Sequence, residues 1–137
     1  MKTYRAAVIG CSRIGGFIDN EVVGHEGPGM QPPSSHGGGY HASDRTELVA
    51  CSDLREDVME QFGKRYDVPG ESQYTDYREL IAKEQPDIVS VATQPEHRAE
   101  IVIYAAGNGV KAIYAEKALA ASLEQADAMV DAIERNG

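Results

Sequence analysis

A glycine-punctuated turn follows an apolar run near the start of the chain, at Ala6-Ala7-Val8-Ile9-Gly10-Cys11-Ser12-Arg13-Ile14-Gly15. The run predicts a buried strand, and the turn predicts its connection to a helix. In the pattern G-x-G-x-x-G the first glycine allows a tight turn, the second lets a pyrophosphate approach the backbone, and the third lets helix and strand pack closely. Gly10 and Gly15 fill the first and third places, and Ser12 fills the second. The turn therefore predicts phosphate binding, with a purely structural tight turn as the alternative.

A carboxylate after the next predicted strand extends this interpretation to a dinucleotide. Asp53 follows Leu48-Val49-Ala50-Cys51-Ser52, where an acidic side chain can accept hydrogen bonds from ribose hydroxyls. Asp53 lies 38 positions after Gly15, whereas the acidic residue of a G-x-G-x-x-G dinucleotide site typically follows the glycine turn by about 20 positions. An 18-residue stretch, Ile18 to Ser35, is rich in turn residues and predicts a loop insert that accounts for the difference. A helix N-cap is the alternative role for Asp53, and Arg55 leaves NADP open beside NAD because an arginine can pair with a 2′-phosphate.

Composition limits the partners and the compartment. The chain has 137 residues, 42% of them hydrophobic, which predicts one domain with one core. A net charge of −9 argues against nucleic acid and an anionic membrane, but the turn amides and Arg13 can still hold a pyrophosphate locally. No apolar stretch approaches the roughly 18 residues that a membrane span needs, so we expect a cytoplasmic protein. Cys11 and Cys51 fit no zinc or disulfide pattern, so we expect reduced thiols and no bound metal.

The remaining chain alternates short apolar runs with helical patterns. The run Ile88-Val89-Ser90-Val91-Ala92 is continuous, as in a strand buried on both faces of a parallel sheet. Helices are predicted after the capping-box pattern Asp76-x-x-Glu79, over 96–106, and after Ser122, where Leu123, Ala126, Val130 and Ile133 share a face. Strands are predicted over 5–10, 47–52, 73–74, 87–93 and 110–116.

This alternation predicts an α/β fold, a doubly wound parallel sheet of the Rossmann type with three αβα layers and strand order 3-2-1-4-5. Ligands of such sheets bind beyond the carboxyl ends of the strands, where the strand order reverses. We therefore expect a site among the residues at these ends, which are Gly10, Ser12, Arg13, Ile14, Gly15, Asp53, Thr93, Gln94, Glu116 and Lys117.

Several segments together resemble one family. They are the glycine turn, Glu47-Leu48-Val49-Ala50, Tyr74-Thr75-Asp76-Tyr77-Arg78-Glu79-Leu80, Pro86 to Thr93, and Glu116-Lys117. Their combination is similar to the N-terminal domain of the Gfo/Idh/MocA oxidoreductases and covers nearly the whole chain outside the insert. The resemblance implies an NAD(P)-dependent enzyme that transfers a hydride between nicotinamide and a hydroxyl-bearing carbon of a sugar, inositol or related polyol.

The resemblance also implies roles for single residues. Lys117 would be the active-site lysine near the nicotinamide, Glu116 would border the nicotinamide, and Asp53 would hold the adenosine ribose. Ala118 stands where the family has proline, whose ring would fix the backbone angle φ. His36 matches the family histidine near the first helix only if the insert displaces it, and Arg98 stands where the family has a histidine, with His97 adjacent but out of register.

Length is the largest departure from the family, whose members continue into a C-terminal substrate domain that usually forms a homo-oligomer interface. We expect that residues 1–137 are the cofactor domain of a longer enzyme and that this chain alone is inactive. A non-catalytic nucleotide-binding sensor or regulatory module is the alternative, since Rossmann sheets serve many functions. The insert is expected to be disordered or packed on a partner rather than to close over the cofactor.

Overall fold

The computed structural model describes residues 1–24 and 31–137. Five strands form one parallel sheet in the order β3-β2-β1-β4-β5. The strands are β1 (Tyr4–Ile9), β2 (Thr46–Ser52), β3 (Gln73–Tyr74), β4 (Ile88–Val91) and β5 (Ala112–Ala115). The helices are α1 (Asp19–Val22), α2 (His36–Ala42), α3 (Glu56–Tyr66), α4 (Tyr77–Glu84), α5 (Pro95–Gly107) and α6 (Leu123–Asn136). The predicted fold class and strand order are confirmed, and the predicted β4 and β5 were each three residues too long.

Two apolar clusters, one on each face of the sheet, hold the layers together. Val8 of β1 packs with α3 residues, among them Phe62, which is fully buried. Ala7 and Ile9 point to the opposite face, where they pack with residues of α4, α5 and α6. Successive side chains of a strand alternate between faces, so a central strand needs apolar residues at every position. The uninterrupted run in β1 thereby places its carboxyl end, and the glycine turn, between the two helical layers.

The last helix does not bury the apolar face that its sequence pattern indicates. Met129 and Ala132 are buried, whereas Leu123, Val130 and Ile133 are exposed. The face that Leu123, Val130 and Ile133 share is therefore not the buried face of α6. α6 carries apolar residues on two sides, and the helical spacing of apolar residues alone does not show which side packs against α5.

Other local predictions were confirmed in part. Asp76 accepts a hydrogen bond from the amide of Arg78 at the start of α4, as an N-cap should, but Glu79 pairs with Lys83 instead of completing a capping box. Ser122 accepts from the amide of Gln125 at the start of α6. Glu79 does not accept a hydrogen bond from the N-cap amide, because its carboxylate pairs with Lys83 one helical turn further along α4.

The insert is not entirely a loop. Residues Asp19–Val22 form the one-turn helix α1, so the loop prediction was wrong there, and residues 25–30 lie outside the described part of the chain. The buried Asp19 carboxylate accepts hydrogen bonds from the Ser35 hydroxyl at 2.5 Å and from the amides of Ser34 and Ser35. Burial alone would raise the pKa of Asp19, but these hydrogen bonds outweigh it and hold the pKa below its ordinary value. Asp19 thus joins the two ends of the insert at its base.

Candidate functional site

The glycine turn leaves room only for glycine at its first and third places. Gly10 has φ +94°, and a Cβ there would lie 2.7 Å from the carbonyl carbon of Ala92. A Cβ on Gly15 would lie 1.8 Å from the carbonyl oxygen of Gly10. The first glycine therefore permits the turn and its approach to the end of β4, and the third permits the following helical turn to pack on β1.

The turn continues into a π-helical turn, Arg13–Phe17, in which the amide of Ile18 donates to the carbonyl of Arg13 at 2.6 Å. The first amides of a helix have no partner inside it. Those of Arg13 and Ile14 are therefore free of helical bonds, and the Ser12 hydroxyl makes no capping bond to this turn. Donors of this kind suit a pyrophosphate.

Two side chains of the turn region are already paired. The Arg13 guanidinium forms a bidentate ion pair with Glu21 of α1, with Nε 2.8 Å from Oε1, and both side chains are exposed. The amide of Cys11 donates to Asp53 Oδ2 at 2.8 Å. Arg13 is thus oriented by the base of the insert, a contact that sequence spacing did not reveal.

Asp53 lies directly after β2 and beside the glycine turn. Besides the Cys11 amide, its Oδ1 accepts from the amide of Arg55 at 2.9 Å. Arg55, not Asp53, occupies the N-cap position of α3, and its own guanidinium pairs with Asp57 at 3.0 Å. Two ionised carboxylate oxygens offer about four acceptor positions, so Asp53 is fixed by backbone donors and retains capacity for hydroxyl donors.

A crevice of about 440 Å³ opens at the carboxyl ends of the strands. The sequence-predicted residues in its lining are Gly10, Ser12, Asp53, Thr93 and Gln94. Its wall also includes Leu54, which is 86% exposed, and Tyr77, whose pKa burial and the Glu100 carboxylate raise to about 12. An open, mixed polar and apolar crevice at a point of strand-order reversal fits a dinucleotide.

Arg13, Ile14 and Gly15 belong to the adjoining turn rather than to the crevice lining, and Glu116 and Lys117 lie beyond β5. Lys117 is exposed. Its amide donates to Glu116 Oε2 at 3.1 Å, and the peptide bond between Lys117 and Ala118 is cis. The structure therefore brings the turn, Asp53, Thr93 and Gln94 together, and it places the Glu116–Lys117 pair at the neighbouring strand end.

His36 connects α2 with this second strand end. Its Nε2 lies 3.0 Å from Glu116 Oε1, and its ring centroid is 4.7 Å from that of Tyr114. Only 6% of the His36 side chain and 15% of the Glu116 side chain are exposed. Because a carboxylate only accepts hydrogen bonds, Nε2–H is the donor. A histidine that follows the insert thus contacts the predicted site residue Glu116, and both residues line a second cavity of about 480 Å³.

Arg98 is a further buried residue at these strand ends, and sequence reasoning did not assign it a role. Its guanidinium donates to the backbone carbonyls of Thr93, Glu116 and Ala118. Burial lowers the pKa of Arg98 from its ordinary value. A charged residue on an otherwise apolar face of the predicted helix 96–106 was the available signal, because such a charge needs several partners when it is buried.

The described residues contain no group of three or more His, Cys, Asp or Glu side chains that could hold a metal ion. In the same part of the chain, no helix has both the length and the apolar character needed to cross a bilayer. Cys11 and Cys51 are buried free thiols behind the glycine turn, and contact with Cys51, together with burial, raises the pKa of Cys11.

Comparison with known proteins agrees with this geometry. Residues 4–137 match the family model of the Gfo/Idh/MocA oxidoreductase family, NAD-binding Rossmann fold. A D-apiose dehydrogenase of Paraburkholderia graminis is 32% identical over 138 residues, which cover 100% of this chain and 31% of that protein. The chain thus spans about a third of the length of this relative.

Solved structures share the fold. An oxidoreductase from Agrobacterium radiobacter, in complex with NAD⁺, L-tartaric acid and magnesium, has a TM-score of 0.74 and 26% identity, and the match covers 98% of this chain and 33% of that one. A myo-inositol 2-dehydrogenase from Lactobacillus plantarum has a TM-score of 0.75 and 24% identity, with 98% of this chain and 34% of that one covered. The chain belongs to the Gfo/Idh/MocA oxidoreductase family, of which it forms the NAD-binding Rossmann domain.

Proposed function

We propose that residues 1–137 are the cofactor domain of a dehydrogenase that transfers a hydride between NAD and a carbinol carbon of a sugar or related polyol. The observation that carries the proposal is the crevice in which the glycine turn, Asp53, Thr93 and Gln94 meet at the carboxyl ends of β1, β2 and β4. The substrate class is supported by the Paraburkholderia graminis relative, a D-apiose dehydrogenase, whose name gives a sugar as its substrate. Bound NAD supplies the hydride chemistry.

The residues of the chain have separate tasks in this proposal. The amides of Ser12, Arg13 and Ile14 bind the pyrophosphate, with the small side chain at Ser12 allowing its approach. Asp53 accepts from the ribose hydroxyls. Thr93 and Gln94, which directly precede α5, line the crevice and are proposed to contact the bound cofactor.

NAD is favoured over NADP by the charges around Asp53. A 2′-phosphate would meet the Asp53 carboxylate at close range, and like charges disfavour this contact. The nearby Arg55 guanidinium, which could pair with such a phosphate, is engaged by Asp57. We therefore expect NADH to bind at least about tenfold more tightly than NADPH, which corresponds to about 1.4 kcal/mol.

Lys117 is the proposed catalytic residue, and Glu116 is proposed to border the nicotinamide. A lysine ammonium can donate to the substrate oxygen and take part in proton transfer as the carbinol is oxidised. In the described chain Lys117 is exposed. A substrate domain packed over it would remove it from water, so we propose that residues 1–137 alone bind NAD weakly and have no measurable turnover, and that the full-length enzyme is a cytoplasmic homo-oligomer.

Titration with NADH, followed by its fluorescence, tests the cofactor assignment. Asp53→Ala is expected to weaken binding about tenfold or more, because ribose hydroxyls lose a charged acceptor. Asp57→Ala is the matched control, since it removes an exposed carboxylate four residues away and should leave the affinity within about twofold. Equal losses for the two variants would contradict the role of Asp53.

Turnover tests the catalytic assignment. Residues 1–137 joined to the C-terminal domain of the Paraburkholderia graminis relative should reduce NAD⁺ with sugar or polyol substrates. Lys117→Met should lower kcat at least about 100-fold while NADH affinity is retained, as expected for loss of a proton-transfer group. Full activity of the Lys117→Met variant, or a substantial rate from residues 1–137 alone, would contradict this part of the proposal. NADH binding without turnover for any sugar or polyol would favour a non-catalytic nucleotide-binding module.

A further inference from the structure

Arg98 links the carboxyl ends of two neighbouring strands. It lies in the first part of α5 and is 2% exposed. One of its terminal nitrogens, Nη1, donates to the carbonyl of Glu116 at 2.6 Å and to that of Ala118, while Nη2 donates to the carbonyl of Thr93. Thr93 follows β4, and the other two residues follow β5. A single planar guanidinium thus donates hydrogen bonds to backbone carbonyls on both sides of Lys117 and to a carbonyl at the end of the adjacent strand β4.

The segment Glu116–Ala118 depends on such a tie because the sheet ends before it. The last ladder bond at this edge runs from the amide of Glu116 to the carbonyl of Val91, at 3.1 Å. Lys117 and Ala118 are exposed. Ala118 also leaves φ free, since only proline fixes that angle covalently. Within the described part of the chain, Arg98 is the side chain that bonds the carbonyl oxygens of this segment.

A second tie holds the side chain of Glu116 rather than the backbone. His36 donates to Glu116 Oε1, and the other carboxylate oxygen accepts from the Lys117 amide at 3.1 Å. The histidine belongs to α2, on the face of the sheet opposite to α5. The segment is therefore held from both faces, by its carboxylate on one and by its carbonyls on the other.

We propose that Arg98 is a positioning residue that sets the backbone of Glu116–Lys117–Ala118, and through it the direction of the Lys117 side chain. This inference rests on the proposed function only for the role of Lys117. A guanidinium is suited to the task because its donors lie in a rigid plane and reach several acceptors at once. A lysine would keep the charge but would reach fewer of the three carbonyls from one position.

Amide hydrogen exchange, measured by NMR on residues 1–137, tests the inference without a cofactor. The amides of Glu116 and Lys117 donate to the Val91 carbonyl and to the Glu116 carboxylate. In Arg98→Met, the acceleration of their exchange over wild type should be at least about tenfold larger than that of the β1 amides, because the segment opens locally. Arg98→Lys should give a smaller acceleration. Arg5→Met is the matched control, since Arg5 donates to the carbonyl and carboxylate of Glu84 at the opposite end of the strands. It should leave the exchange of the Glu116 and Lys117 amides unchanged.

A purely structural role would give a different result. If Arg98→Met accelerates exchange evenly through the domain, or leaves the exchange of the Glu116 and Lys117 amides unchanged, the inference is overturned. If Arg98→Met does not fold, Arg98→Lys decides by the same criterion, because it retains the charge. An acceleration confined to the Glu116 and Lys117 amides supports the inference in either variant.

Nucleotide binding separates this inference from the proposed function. ADP-ribose lacks the nicotinamide, so Arg98→Met should weaken NADH binding at least about fivefold more than ADP-ribose binding. Equal weakening of both ligands would contradict a role at the nicotinamide end. If wild-type residues 1–137 bind neither ligand, the proposed function fails, whereas the exchange measurement still decides whether Arg98 sets this segment.

Discussion

Replacing Gly15 by alanine should damage both stability and cofactor binding. The added Cβ would lie 1.8 Å from the carbonyl oxygen of Gly10 and 2.9 Å from its carbonyl carbon. Both atoms are backbone, so no flexible side chain can move aside, and the helical turn must shift by more than an ångström from β1. Overpacking of this kind costs about 1–3 kcal/mol, and occasionally more.

Helix propensity works in the opposite direction. Alanine is favoured over glycine inside a helix by up to about 1 kcal/mol, but the clash is severe enough to place Gly15→Ala at the upper end of the overpacking range. We therefore expect a net loss of about 2 kcal/mol, which lowers Tm by about 6–8 °C for a domain of this size. The displaced Gly10 carbonyl should also distort the turn and weaken NADH binding about tenfold or more.

Gly39→Ala is the matched control for thermal unfolding. Gly39 also lies in a helix, α2, but a Cβ there would meet nothing within 4 Å. This variant should be as stable as wild type or up to about 1 kcal/mol more stable. If Gly15→Ala melts at or above the wild-type temperature, the assignment of Gly15 to close helix–strand packing is refuted.

Three other substitutions test the fold around the site. Asp19→Asn should lower the free energy of unfolding in urea by about 1–3 kcal/mol at pH 7. The difference in stability from wild type should shrink as the pH falls below about 4, because a carboxyl with a lowered folded-state pKa stabilises the protein only while it is ionised. Phe62→Ala should lower the free energy of unfolding by about 3–5 kcal/mol, since Phe62 is fully buried against Gly16 and Gly37. Asp76→Ala removes the N-cap of α4 and should lower the free energy of unfolding by about 1 kcal/mol, as measured by thermal unfolding.

Each of these expectations has a result that would contradict it. A constant stability gap between wild type and Asp19→Asn from pH 7 to pH 3 would show that the Asp19 carboxylate is not held ionised at the base of the insert. A loss below about 1 kcal/mol for Phe62→Ala would contradict close packing of α3 on the helical turns that contain Gly16 and Gly37. Unchanged stability of Asp76→Ala would show that water caps α4 equally well.

Features with a local cause could be predicted from the sequence. The apolar run of β1, the glycine spacing and the position of Asp53 after β2 reflect bonds and contacts within a βαβ unit, so strand order and the crevice followed from them. The insert did not hide this unit, because its turn residues made its limits visible. The helix α1 was missed because Asp19 is held by Ser34 and Ser35, which lie 15 and 16 positions away.

Long-range polar contacts could not be predicted in the same way. Arg98 contacts carbonyls that any sequence would supply, so no partner residue indicated its role, and the pairing of His36 with Glu116 joins positions 80 apart. The buried face of α6 could not be read from the sequence for a related reason, because apolar residues lie on two of its sides and packing against α5 selects one of them. Burial depends on neighbouring elements, which a helical pattern alone does not contain.

A crystal structure of residues 1–137 with NAD⁺ is the most direct test of the central claim. We expect the pyrophosphate to lie against the amides of Ser12, Arg13 and Ile14, and the adenosine ribose hydroxyls to lie within about 3 Å of the Asp53 carboxylate. A cofactor seated outside this crevice, or an Asp53 carboxylate that bonds only the amides of Cys11 and Arg55 while the ribose lies elsewhere, would contradict it.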